Sequence, residues 1–345
     1  MPFQTTKARI LSACFQSFTP KNEQKRQQIV RELEIIYLEI ERNRWGYCYD
    51  AHDLELYNIV FRGLSLDKTP TENEDTFFIP MAKEDLDKYP PDLAHEDTKT
   101  TVERLHRIWD EGDYPDWAKG RHPANRLNDR QTDAERLCKF MRKQFVEIKR
   151  NVPNSTDRTT LPTVSGWIRT CYGGALIDEE LCNDLFDSSI YSLHDPLKAS
   201  NGRPHAMISI SQGYESRNEG LYRHELLAIL AVIISQFKKP SLKKHKVIPV
   251  KAISFTGQDG RLIEAHYNSS ISRLIFRASD LFDFSSYEVA MKNSEPFLRH
   301  MASESTGKTE ALKSKLKWFS CPFFFSYFLV ILLITLTRHY LAQRW

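Results

Sequence analysis

Residues 221–237, LYRHELLAILAVIISQF, decide the fold together with the three apolar segments that follow: 247–255, VIPVKAISF; 261–267, RLIEAHY; and 272–278, SRLIFRA. The first holds nine consecutive apolar residues, Leu226 to Ile234, less than half the length of a membrane span, and predicts a core helix. The second is β-branched and apolar apart from Lys251; Pro249, which has no N–H to give to a ladder, places it at a strand start or a sheet edge. The last two flank the turn Asn268-Ser269-Ser270 and predict an antiparallel hairpin. Upstream, 206–211 reads as a strand and 212–220 as a loop. The fold class expected is α+β: a helical first half, then mixed helix with a small antiparallel sheet, then one C-terminal transmembrane helix.

In the first half, residues 22–43 place Ile29, Leu33, Ile36, Tyr37 and Ile40 on one stripe, the pattern of an amphipathic helix. Residues 98–109 and 133–149 also read as helices, the second with Leu137, Met141, Phe145 and Ile148 on one face. Residues 67–91, polar and broken by Pro70, Pro80, Pro90 and Pro91, read as a long loop. The expected organisation is a mainly helical region over 1–150, a linker or long loop at 151–162 (NVPNSTDRTTLP), an α+β region over 163–300 and a basic juxtamembrane linker over 301–317. A span over 318–337 and a short basic tail, 338–345, complete it.

The chain has 345 residues, 41% hydrophobic and 27% charged, which excludes the composition of a disordered protein. A net charge of +3 gives no nucleic-acid footprint, so nucleic acid is not an expected partner. Cysteines 14, 48, 138, 171, 182 and 321 form no C-x-x-C pair and no disulfide or zinc spacing. With Cys321 at the edge of the span, five remain for the body, an odd number that fits a reducing compartment.

Residues 318–337, WFSCPFFFSYFLVILLITLT, carry no charge between Trp318 and Thr337, and twenty helical residues rise about 30 Å, a bilayer's hydrocarbon thickness. Lys313, Lys315 and Lys317 stand before the stretch and Arg338 and Arg344 after it, as cations flank a span. The expectation is a single-pass, tail-anchored protein in an organelle membrane (mitochondrial outer, peroxisomal or endoplasmic reticulum). Its body faces the cytosol, with the lipid bilayer and a protein as partners.

His224-Glu225 opens the apolar helix, but H-E-x-x-H needs a second His where Ala228 stands, so the zinc motif fails. Glu225 suits the positive end of the helix dipole, and His224 reads as a surface or hydrogen-bonded residue. The same segment also invites comparison with PD-(D/E)XK nucleases, whose metal site needs an Asp entering one strand and an acid two residues before a Lys in the next. Asp259 precedes Glu264-Ala265-His266, with His where Lys is needed and both acids in one strand. No phosphate-cradling glycine motif and no nucleophile elbow occurs, so no cofactor, metal or small-molecule substrate is expected. The run 238–246, KKPSLKKHK, offers Lys238, Lys239, Lys243, Lys244 and Lys246 to an anionic lipid or an acidic partner.

His224-Glu225-Leu226, Ile248-Pro249-Val250, 261–267 and Leu281-Phe282-Asp283-Phe284 together make a series that resembles a module of uncharacterised proteins of filamentous ascomycete fungi. The resemblance covers 222–284 and implies a fungal origin and a shared fold, with no activity attached. The function expected is a non-enzymatic interaction or tethering protein. The alternative is a metal-dependent, nuclease-like hydrolase using Glu225, Asp259, Glu264 and His266.

Overall fold

The computed structural model describes residues 21–43, 46–67, 76–110, 126–186 and 191–310. The chain divides into two units, 1–310 and 311–345, and the second lies outside the described residues.

Eight strands form the central sheet: β1 (Ile59–Gly63), β2 (Trp167–Arg169), β3 (Tyr191–Ala199), β4 (Ala206–Gln212), β5 (Val250–Thr256), β6 (Asp259–Asn268), β7 (Arg273–Ala278) and β8 (Phe282–Asp283). Their order is β1-β7-β6-β5-β4-β3-β2, with β8 pairing Asp259 and Gly260 of β6 on the edge that β7 pairs from Ile263 onward. Pairs β4–β5 and β1–β7 are parallel and the others antiparallel. Four helices matter here: α1 (Lys21–Arg42), α2 (Arg126–Arg142), α3 (Arg223–Lys238) and α4 (Tyr287–Met301). The buried run of α3 crosses from β4 to β5, which is why these strands are parallel.

Side chains alternate across the sheet. One face carries Ile208, Ile210, Val250, Ala252, Ile263 and Ala265 into a core with α3 and with Leu33, Tyr37 and Ile40 of α1. The other carries Met207, Ile253, Phe255 and Leu262 against Leu137, Phe140 and Met141 of α2 and Phe297 of α4. Helices α1 and α3 also cap each other. Arg26 donates to the carbonyls of Phe237 (2.6 Å), Gln236 (3.2 Å) and His245 (2.6 Å), and Arg223 donates to that of Ile40 at 3.0 Å. Each helix thus satisfies acceptors at the other's C-terminus. At the entry to α3, Gly220 has φ +76° and lies so close to Tyr49 that an added Cβ would stand 1.9 Å from its carbonyl oxygen.

Two expectations are corrected. The sheet is neither small nor purely antiparallel; it has eight strands and mixed direction, because the α3 crossover aligns β4 with β5 and residues 59–63 of the first half add a strand parallel to β7. The expected membrane-spanning, single-pass, tail-anchored architecture is also corrected. Among the described residues no helix is long and apolar enough to cross a membrane. The most apolar, α3, has 16 residues and rises about 24 Å. The stretch from Trp318 to Thr337 lies outside the described residues, as does the tail 338–345. Residues 151–162, read as a linker, hold part of a short strand pair (Arg150–Asn151 with Arg158–Thr159) and the start of helix Leu161–Ser165.

Candidate functional site

Glu225 occupies the third residue of α3 and is fully buried. One carboxylate oxygen accepts the Tyr222 N–H (2.8 Å), closing the helix start; the other accepts Arg261 Nε at 3.0 Å, and a further Arg261 N–H bonds the first oxygen. Arg261 also donates to Gly220 O at 2.9 Å, and its guanidinium carbon lies 5.1 Å from the Tyr222 ring centre. Burial pulls the Arg261 pKa down, yet the Glu225 charge raises it above the ordinary arginine value. Glu225 therefore acts as a cap and a counter-ion.

Glu264 belongs to a different site. On β6, Arg261, Ile263 and Ala265 face α3, so Leu262, Glu264 and His266 face the other layer. The register places Lys251 of β5, Glu264 of β6 and Arg277 of β7 in one cross-strand row. Lys251 Nζ stands 3.4 Å and Arg277 Nη2 2.6 Å from the Glu264 carboxylate. Lys251, with no exposed surface, also donates to His300 O (2.7 Å) and Ser303 Oγ (2.9 Å) and lies 4.5 Å from the Phe78 ring centre. Burial lowers its pKa to about 8 against the pull of Glu264. For Glu264 burial acts upward, but Lys251 and Arg277 outweigh it and hold the carboxyl below its usual range. His266 packs against Phe77, ring centres 4.7 Å apart, and Asp259 sits half-exposed at the strand start, opposite Thr256 and Asp283.

The four residues of the hydrolase alternative are thus not gathered: Glu225 and Glu264 are on opposite faces of one sheet. Among the described residues no group of three or more His, Cys, Asp or Glu could hold a metal ion.

A polar cluster that the sequence reading did not single out lies between α2 and strands β3 and β4. Gln131 Nε2 donates to Ser211 Oγ and to Glu135 Oε1, both at 3.0 Å, and Ser192 Oγ donates to Glu135 at 3.3 Å. His194 Nε2 lies 2.9 Å from Ser211 Oγ. Beside them Asp195, in a bulge of β3 with φ +51°, is paired with Arg142 at 3.2 Å. Burial raises the Asp195 pKa to about 6, against the pull of Arg142 and Arg169, and lowers that of His194. The Ser–His contact has the distance that activates a nucleophile, yet Ser211 is completely buried and its oxygen already accepts from Gln131. Asp195-Pro196, an unusual pair inside a strand, was the available signal.

The lysine run is divided. Lys238 bonds Glu34 (2.9 Å) and lies 3.5 Å from Asp178, and Lys244 pairs with Glu310 at 2.7 Å. The Lys246 backbone N–H donates to Thr309 O at 2.7 Å. Lys239 and Lys243 line a groove against α1. His224, expected at the surface or hydrogen-bonded, is buried and stacked on Tyr191, ring centres 3.7 Å apart. No protein-family model matches the chain, and no curated protein or solved structure matches it either.

Proposed function

We propose that this protein acts by binding a protein partner and carries no hydrolytic centre of its own. One observation supports the reading: the buried carboxylates on the sheet and at the start of α3 are paired with cations of the same chain, Glu225 with Arg261, Glu264 with Lys251 and Arg277, and Asp195 with Arg142. A divalent ion is held by carboxylate charge and lone pairs left available to it. Here guanidinium and ammonium groups occupy those oxygens, and releasing Glu264 or Glu225 would leave the buried Lys251 or Arg261 without its partner.

The test is hydrolysis by the full chain of single-stranded and duplex DNA, RNA and a chromogenic phosphodiester, with Mg²⁺ or Mn²⁺ present. No product above a protein-free blank is expected. Metal-dependent turnover that disappears in Glu264→Gln or Asp195→Asn would sink the proposal in favour of the hydrolase.

A further inference from the structure

The α1–α3 face carries a groove of about 420 Å³ where the C-terminal end of α3 and the turn after it run beside the first turns of α1. Its apolar lining comes from Val30, Phe237 and Pro240, and Arg31, Lys239 and Lys243 supply cations. Among the described residues none of these three cations has a carboxylate within ion-pair distance. The neighbouring charges are already engaged: Lys238 holds Glu34 and Asp178, and Arg26 is turned inward onto three carbonyls. Glu23 and Glu34 also line the groove, leaving five cations against two acids. The Arg26 bonds have a further effect, since they cover carbonyls at the C-terminus of α3 whose negative dipole end would otherwise repel an anion.

From this geometry we infer that the groove is the docking site for an acidic segment of a partner protein, which places aliphatic side chains on Val30 and Pro240, above the buried Phe237 ring, and carboxylates against Arg31, Lys239 and Lys243. The inference rests on the binding role proposed above and names the partner's chemistry. Its first support is charge: unpaired cations beside an apolar floor are complementary to alternating acidic and aliphatic side chains. Its second is shape, because a concave site between two helices admits side chains, whereas the planar surface of a bilayer meets only its rim. Lys239 adds to this: burial, with Lys198 nearby, lowers its pKa, so an arriving carboxylate would relieve a desolvated charge.

The experiment uses the full chain and a short fluorescein-labelled peptide of alternating glutamate and leucine, read by fluorescence anisotropy at low and at physiological salt. The native protein should bind, more weakly as salt rises. Arg31→Glu/Lys239→Glu/Lys243→Glu should bind at least about tenfold more weakly, since like charges would then face each other. Arg62→Glu/Lys99→Glu/Lys292→Glu changes net charge equally at exposed positions away from the groove and should bind as the native protein does. If the groove triple lowers Tm, Lys239→Glu and Lys243→Glu are read singly, each expected to weaken binding. No binding by the native protein, or equal losses in both triples, overturns the inference. So does capture by vesicles containing phosphatidylserine when the peptide does not bind, which makes the groove a lipid contact. Each of these can occur with no hydrolysis in the preceding assay, so failure of the groove and failure of the non-enzymatic reading are separable.

Discussion

Acidification from pH 7 to pH 5 is expected to remove about 5 kcal/mol of stability, a loss comparable to the whole of a marginally stable domain. Three buried histidines drive it. Burial lowers the pKa of His205 to about 4 and those of His224 and His300 to about 3, from an ordinary 6.5. In the folded state all three stay neutral at pH 5, whereas in the unfolded chain each takes up a proton below 6.5. The unfolded state then binds more protons, so stability falls as pH falls, by about 1.4 kcal/mol per pH unit for each histidine. Asp195 works the other way. With its pKa raised from 3.8 to about 6, it binds its proton in the folded state first and restores about 1.4 kcal/mol per unit between those values. Three losses against one gain leave a net fall of roughly 3 kcal/mol per unit below pH 6. Urea unfolding followed by circular dichroism at half-unit steps measures the slope, and a midpoint that stays constant from pH 7 to pH 5 would contradict these buried neutral rings.

Arg261→Ala is expected to destabilise the fold by about 3 to 5 kcal/mol, because the Glu225 carboxylate would be left charged and unpartnered beneath the first turn of α3. The Gly220 carbonyl, which accepts from Arg261, would lose that donor as well. The double variant Glu225→Leu/Arg261→Met removes both charges, keeps most of the volume and should recover much of the loss, since a buried pair contributes less than its rupture costs. Chemical denaturation of the two singles and the double gives the coupling directly. Additive losses would mean that the two side chains do not form a pair that matters to the fold.

The apolar stripe of α1, the apolar run of α3, the β-branched composition of β5 and the turn between β6 and β7 were legible because each is a local pattern that the fold buries or bends. The sheet's extent was not legible. β2 has three residues, β3 contains Asp195-Pro196, and β1 lies in a part of the chain that reads as helical. Strand direction is implicit in the sequence as well: a strand, a long buried helix and a second strand imply a parallel pair, as β4 and β5 form. The charged residues show the same limit. Lys251 stood out in an apolar strand, but nothing local pointed to its row with Glu264 and Arg277, which depends on the register of three strands. Glu225 and Arg261 are 36 positions apart and meet only through the docking of α3 on the sheet. Within the lysine run, Lys238 and Lys244 meet acids distant in sequence, while Arg31, on another helix, joins the cations of the groove.

Whether the buried carboxylates are sealed by their own cations is best settled by titrating Mn²⁺ into the full chain and following the free-ion signal by electron paramagnetic resonance. The expected result is a free-ion signal equal to that of buffer until Mn²⁺ reaches the millimolar range, unchanged in Glu264→Gln and Asp195→Asn. Stoichiometric uptake at micromolar Mn²⁺, abolished by either substitution, would contradict a self-neutralised sheet and make the hydrolase the better reading.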